Sequence, residues 1–284
     1  MTDRAPLPSV LHPLFPGGGV EQASLSTALP PGRLIVPAGA DRGAPVMWLS
    51  DGPAPAALWE ELQREHSRSG LWPLLLTHPA NDPHFRPWAT GELRPDAAHP
   101  AGSPDPRAVL RGWWESSAVA RPDDPQDAAD RLQMLEPYGA EWPGPAPALE
   151  EAAGEDDPAA AAADVARWLV KSNPGLRIGL VRAASGAEAL AACGWTGAAN
   201  HADIGAITAV LRDWEDRYGA RLVEVGLDGV RLSSTTKLDD VDSALPVAAE
   251  HVAFCPGNVF RGTESLTDYA EELVLEKCWS FWWE

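Results

Sequence analysis

His251 and Cys255 stand four residues apart in the run Ala249-Glu250-His251-Val252-Ala253-Phe254-Cys255-Pro256. On a helix that spacing projects both side chains from one face, toward a metal ion or a reacting group. Imidazole and thiolate are good zinc ligands, but structural zinc takes four, so Cys278 would have to join from a later strand. A Cys/His nucleophile pair, Cys255 or Cys278 with His251 or His201, needs a base in hydrogen-bond reach and an oriented imidazole. Spacing alone supplies neither. In the enzyme reading, a hydrolase or metal-dependent enzyme, Asp228 is the carboxylate beside His251 and Cys255. The competing reading makes Cys255 a small core hydrophobe and His251 its hydrogen-bonded neighbour.

Other chemistry-bearing residues are more dispersed. His78-x3-Asp82-x-His84 puts three metal-type groups in a Pro-edged loop with no fourth partner in register. Ser185-Gly186 precedes a helical segment but lacks the spaced glycines of a nucleotide loop, so an N-cap is the expectation. No cofactor and no metal is expected. Cys193, Cys255 and Cys278 are an odd, widely spaced set, which predicts three reduced, unpaired thiols in a cytoplasmic protein. The aromatic run Trp279-Ser280-Phe281-Trp282-Trp283-Glu284 reads as a strand. Alternation then puts Trp279, Phe281 and Trp283 on one face and Trp282 on the other. Trp282, with Glu284, is the candidate contact for a protein partner, since Trp dominates interface hot spots.

The elements that must position these groups follow from periodicity and punctuation. Residues 1–32 are rich in Pro, Gly and Ser and read as a flexible arm. Residues 33–122 form a smaller α/β region. It has strands at 33–37 and 45–50, a helix carrying Leu58, Trp59 and Leu62, a buried strand at 71–76 and a helix at 104–114. Residues 123–157 are acidic and Pro-rich, with too little apolar surface to offset their chain entropy, and predict a linker. Residues 158–284 form the C-terminal domain. Its first helix runs through Val165, Trp168, Leu169 and Val170. A strand follows at 176–181, then a helix capped by Ser185. The next helix carries Ile204, Ile207, Val210, Leu211 and Trp214. Asp228-Gly229 predicts a type I′ turn between strands at 222–227 and 230–233. Helices at 245–254 and 266–275 precede the aromatic strand. The order α-β-α-α-β-β-α-α-β implies an α+β fold, a mixed β-sheet covered by helices.

Composition narrows the function. Forty-one acidic against 22 basic residues give a net charge of −19. Such a surface repels phosphate backbones and anionic bilayers, so neither nucleic acid nor membrane is expected as partner. It suits a basic protein, whose encounter it would accelerate. No basic segment followed by an apolar run opens the chain, and no apolar run reaches bilayer length. The 13 Trp are a surplus, each needing a partner for its indole N–H when buried.

Gly194-Trp195, Leu211-x-x-Trp214-x-x-x-Tyr218-Gly219-Ala220, the His251–Cys255 segment and the Trp-x-Phe-Trp-Trp-acid ending resemble a bacterial family, the domain of unknown function 4253. The resemblance covers roughly residues 165–284. The preceding half, with Gly70-Leu71-Trp72-Pro73-Leu74-Leu75-Leu76, resembles the N-terminal extension of actinobacterial members. It implies a domain boundary and no activity. From charge, Trp content and the lack of catalytic motifs, the expected function is non-enzymatic: an immunity- or antitoxin-like module binding a basic partner.

Overall fold

Among the described residues, seven strands form one sheet in the order β1-β2-β4-β3-β5-β6-β7. The computed structural model describes residues 5–38, 43–95, 104–118, 125–147 and 157–283. The strands are β1 (Gly32–Ile35), β2 (Met47–Ser50), β3 (Leu71–Leu76), β4 (Arg177–Arg182), β5 (Arg221–Val225), β6 (Gly229–Ser233) and β7 (Cys278–Trp282). All neighbours are antiparallel except β3 and β5. The mixed α+β architecture is that expected from the order of elements.

Alternation along the strands feeds two separate cores. In β3, Trp72, Leu74 and Leu76 enter one, while Leu71 and Leu75 enter the other. Ile178 and Leu180 of β4 face the second core and Val181 the first. This is the two-residue period of a sheet buried on both faces. The first core takes α3 (Pro106–Trp113), α6 (Gly186–Cys193), α7 (Ile204–Tyr218), α8 (Val241–Phe254) and α10 (Leu266–Leu275). The second takes α1 (Leu58–Arg64) and α5 (Pro158–Ser172). α2 (His66–Ser69), α4 (Pro125–Met134) and α9 (Gly257–Phe260) complete the α-helices among the described residues.

Local chemistry sets most boundaries. Asp157, Ser185, Asp203 and Ser265 each accept a backbone N–H at the start of α5, α6, α7 and α10. Gly219 ends α7 at φ +59°, where a Cβ would also meet Thr235 Oγ1 at 2.2 Å. Indole N–H groups pin distant segments together. Trp72 donates to Leu222 O (3.2 Å), Trp195 to Gly226 O (2.9 Å) and Trp283 to Phe254 O (3.2 Å). Burial with a satisfied N–H accounts for much of the Trp surplus.

Several expectations need correcting. The flexible arm is packed where described: Leu7, Leu11, Leu14, Phe15 and Leu25 are buried in the second core. Glu65, itself buried, accepts Ser26 N (2.7 Å), Thr27 N (2.9 Å) and Thr27 Oγ1 (2.7 Å). Burial opposes its ionisation, but these donors hold its carboxyl below the usual range. The acidic linker contains α4, and Leu135 and Ala146 are buried in the first core. Nor do the two halves have separate sheets. β4 lies between β2 and β3, so the C-terminal strands complete a sheet begun by the N-terminal ones. The β5–β6 turn closes with Gly226 N on Gly229 O at 2.7 Å. Neither Leu227 nor Asp228 has positive φ, so it is not type I′. Among the described residues, no helix is long and apolar enough to cross a membrane.

Candidate functional site

The α8 helix begins at a capping box, with Asp240 on Ser243 N and Ser243 on Asp240 N. It is buried from Val247 to Phe254, so its His and Cys lie among apolar residues. His251 Nδ1 lies 3.0 Å from Tyr269 Oη, and Asn258 Nδ2 donates to that same oxygen at 2.7 Å. With the amide donating, the phenol proton goes to Nδ1 and the imidazole carries its own hydrogen on Nε2. Nε2 has no hydrogen-bond partner among the described residues. The ring is boxed by Trp279, Trp214 and Phe281 with centroids 4.5, 4.9 and 4.9 Å away. Its N–H is therefore surrounded by aromatic rings. Burial, with the charge of Arg217 adding, pushes its pKa down to about 3. A fully buried, neutral imidazole with no aqueous approach is not a general base.

Cys255, one helical turn on, turns to the sheet edge. Its Sγ donates to Trp282 O at 3.0 Å. Asn258 Nδ2 donates to Ser280 O at 2.9 Å. Lys277 O and Trp283 N bond toward β6 and the β5–β6 turn, so the carbonyls of 280 and 282 point outward. Cys255 and Asn258 thus cap two carbonyls on the open edge of β7. Burial pushes the Cys255 thiol up to about 11, far from the thiolate a nucleophile needs. Cys193 and Cys278 are raised to about 12 by burial, and all three cysteines are free.

Asp228 lies in the β5–β6 turn, where its carbonyl accepts Trp283 N at 2.8 Å. His251 thus serves the aromatic core and Cys255 the β7 edge, whereas Asp228 joins the hairpin turn to β7 through its backbone carbonyl. No described group of three His, Cys, Asp or Glu is arranged to hold a metal. Asp82, of the His78–His84 loop, accepts His84 N and Arg86 N and closes a turn. Trp279, Phe281 and Trp283 are buried, as alternation expects. Trp282 is half-buried, its ring over Gly257 and near the Arg261 guanidinium. Glu284 lies outside the described residues.

Two features escape sequence reasoning. Glu250, fully buried, accepts Trp214 Nε1 (2.7 Å), Arg217 Nη2 (2.7 Å) and Ala146 N (2.8 Å). This carboxylate ties the acidic segment to α7 and α8, and its partners are too distant in sequence to infer. The second is Trp168. Expected on the apolar face of α5, it is instead 55% exposed. The signal was there: Asp164, Trp168 and Lys171 fall on one stripe, while Ala162, Ala166 and Leu169 form the buried one.

Trp168 stands on the wall of a groove of about 580 Å³ between α5 and the β6–β7 end of the sheet. Ala160, Ala161 and Val165 continue that wall, and Arg231, Cys278 and Ser280 lie opposite. The groove adjoins a depression of about 350 Å³ beside the β5–β6 turn, sharing Arg231 and Ser280 with it. Glu224, 5% exposed, is held there by Arg231 at 3.1 Å. Burial raises its pKa, with Arg231 opposing. No curated protein and no solved structure matches the chain. From β4 through the aromatic strand β7, residues 177–284 match the model of the family described as a domain of unknown function, DUF4253.

Proposed function

We propose that the chain is a non-catalytic protein-interaction module whose partner is basic, in the manner of an immunity or antitoxin protein. The observation that carries this reading is Trp168, 55% exposed on the wall of a largely apolar groove that also carries Asp157, Asp164 and Glu276. A solvent-facing Trp costs apolar hydration unless something covers it, and Trp anchors interfaces more than most residues. The net charge of −19 favours encounter with a basic surface. The alternative, a hydrolase or metal-dependent enzyme at His251, Cys255 and Asp228, loses support because His251 is enclosed in the aromatic core and the Cys255 thiol is held by the Trp282 carbonyl.

The test is calorimetric titration with a short peptide alternating arginine and leucine, against its glutamate–leucine counterpart. The basic peptide should bind saturably, and added salt should weaken it, as screening of exposed charges requires. Equal binding of both peptides, or none of either, would remove the reading. Ester hydrolysis abolished by Cys255→Ala would restore the enzyme.

A further inference from the structure

We infer that the groove takes an extended basic segment of a partner protein, laid face-on across the β6–β7 end of the sheet from Trp168 to Trp282. This rests on the interaction reading above and specifies its surface and mode.

Continuity comes first. The two depressions share Arg231 and Ser280, so one open track runs from Trp168 at one end to Trp282 at the other. Ser280 is exposed, while Cys278 and Trp282 are half-buried. These three recur every second residue on one face of β7, the period at which an extended segment presents its own side chains.

Charge selects the occupant. The track is lined by the carboxylates of Asp157, Asp164, Glu224, Asp228 and Glu276. Against these stand Arg231 and Lys277, and Arg231 is already committed to Glu224. Burial and neighbouring Glu272 raise the Glu276 pKa, so a cation placed beside it would relieve a repulsion. The exposed indole of Trp168 offers its face to a guanidinium or an aliphatic stem.

The mode follows from the edge. A peptide adding as an eighth strand would need the outward carbonyls of β7, and those of Ser280 and Trp282 are taken by Asn258 and Cys255. Face-on docking leaves these caps in place.

The experiment uses the full chain and the same fluorescently labelled arginine–leucine peptide, read by anisotropy. Trp168→Ala and Glu276→Lys should each weaken binding roughly ten-fold or more. Glu21→Lys, the same charge change on an exposed residue of the N-terminal segment, should leave affinity within about two-fold. Unchanged melting of the variants checks that the fold is intact. Hydrogen exchange of the amides of 278, 280 and 282 should be the same with and without peptide. If the parent does not bind the peptide, the interaction reading itself falls. Binding that ignores Trp168→Ala and Glu276→Lys leaves that reading standing and sinks this surface. Protection of the β7 amides would replace face-on docking by strand addition. A dimer by light scattering that Trp168→Ala dissociates would assign the groove to a second copy of the chain, overturning the inference.

Discussion

His251 holds a neutral ring at a depth where an unfolded chain would let it titrate normally. Its pKa is about 3 in the fold against an ordinary 6.5. Below pH 6.5 the unfolded state gains a proton that the folded state refuses, so stability is lost as pH falls from 6.5 toward 3. The slope is about 1.4 kcal/mol per pH unit, or about 2 kcal/mol by pH 5. Glu215 and Glu224, whose pKa values burial raises, act in the opposite sense, losing stability as pH rises through their folded values. The contribution of His251 is therefore the difference between the parent and His251→Leu in denaturant melts between pH 5 and 7. The variant should lose the acid-side slope; parallel curves would mean that His251 is not held neutral. Helical spacing makes the His251–Cys255 pair legible in sequence. Tyr269, Asn258 and the β7 carbonyls that occupy those two side chains lie on other elements, and no local pattern announces them.

At the scale of elements, β7 joins the first core to the edge of the sheet. Trp279 is buried against Trp214, Tyr218 and His251, with ring centroids at 5.8, 5.6 and 4.5 Å. Trp279→Ala should cost about 3 to 5 kcal/mol. Trp282→Ala removes a half-buried ring over Gly257 and should cost less than half as much. Thermal or denaturant melts of the two variants decide this, and equal losses would mean that Trp282 is as much a core residue as Trp279. Period-two alternation makes the inward and outward faces of β7 readable in advance. The N-terminal arm is harder. Leu7, Leu11, Leu14 and Phe15 keep helical spacing, but Pro8 and Pro13 interrupt it, so short 3-10 turns pack where no regular helix can form.

Across the whole molecule, the apparent boundary in the acidic segment is not a boundary of the sheet. Separating residues 165–284 would strip β4 of both its neighbours and β5 of its parallel partner β3. Leu180 and Ile178, fully buried in the intact protein, would face water. Expressed alone, that fragment should be insoluble or show collapsed, non-cooperative unfolding. Sharp melting at the temperature of the parent would show that the C-terminal half folds by itself. The element order and the Gly, Asp and Ser caps are readable from sequence because they are local. The interleaving of strands from the two halves is not, because strand order is decided by pairing across the whole chain.

That interleaving also orders events in time. β3 is made early, yet its antiparallel neighbour is β4, with Leu71 opposite Arg182. A ribosome adding ~5 to 20 residues per second leaves β3 waiting on the order of 5 to 20 s for that neighbour. Throughout the wait, a strand buried at every position in the finished protein has nothing to pair with. The nascent chain therefore carries an exposed, aggregation-prone segment throughout that wait, which makes it a natural client for a chaperone that binds apolar stretches at the tunnel exit.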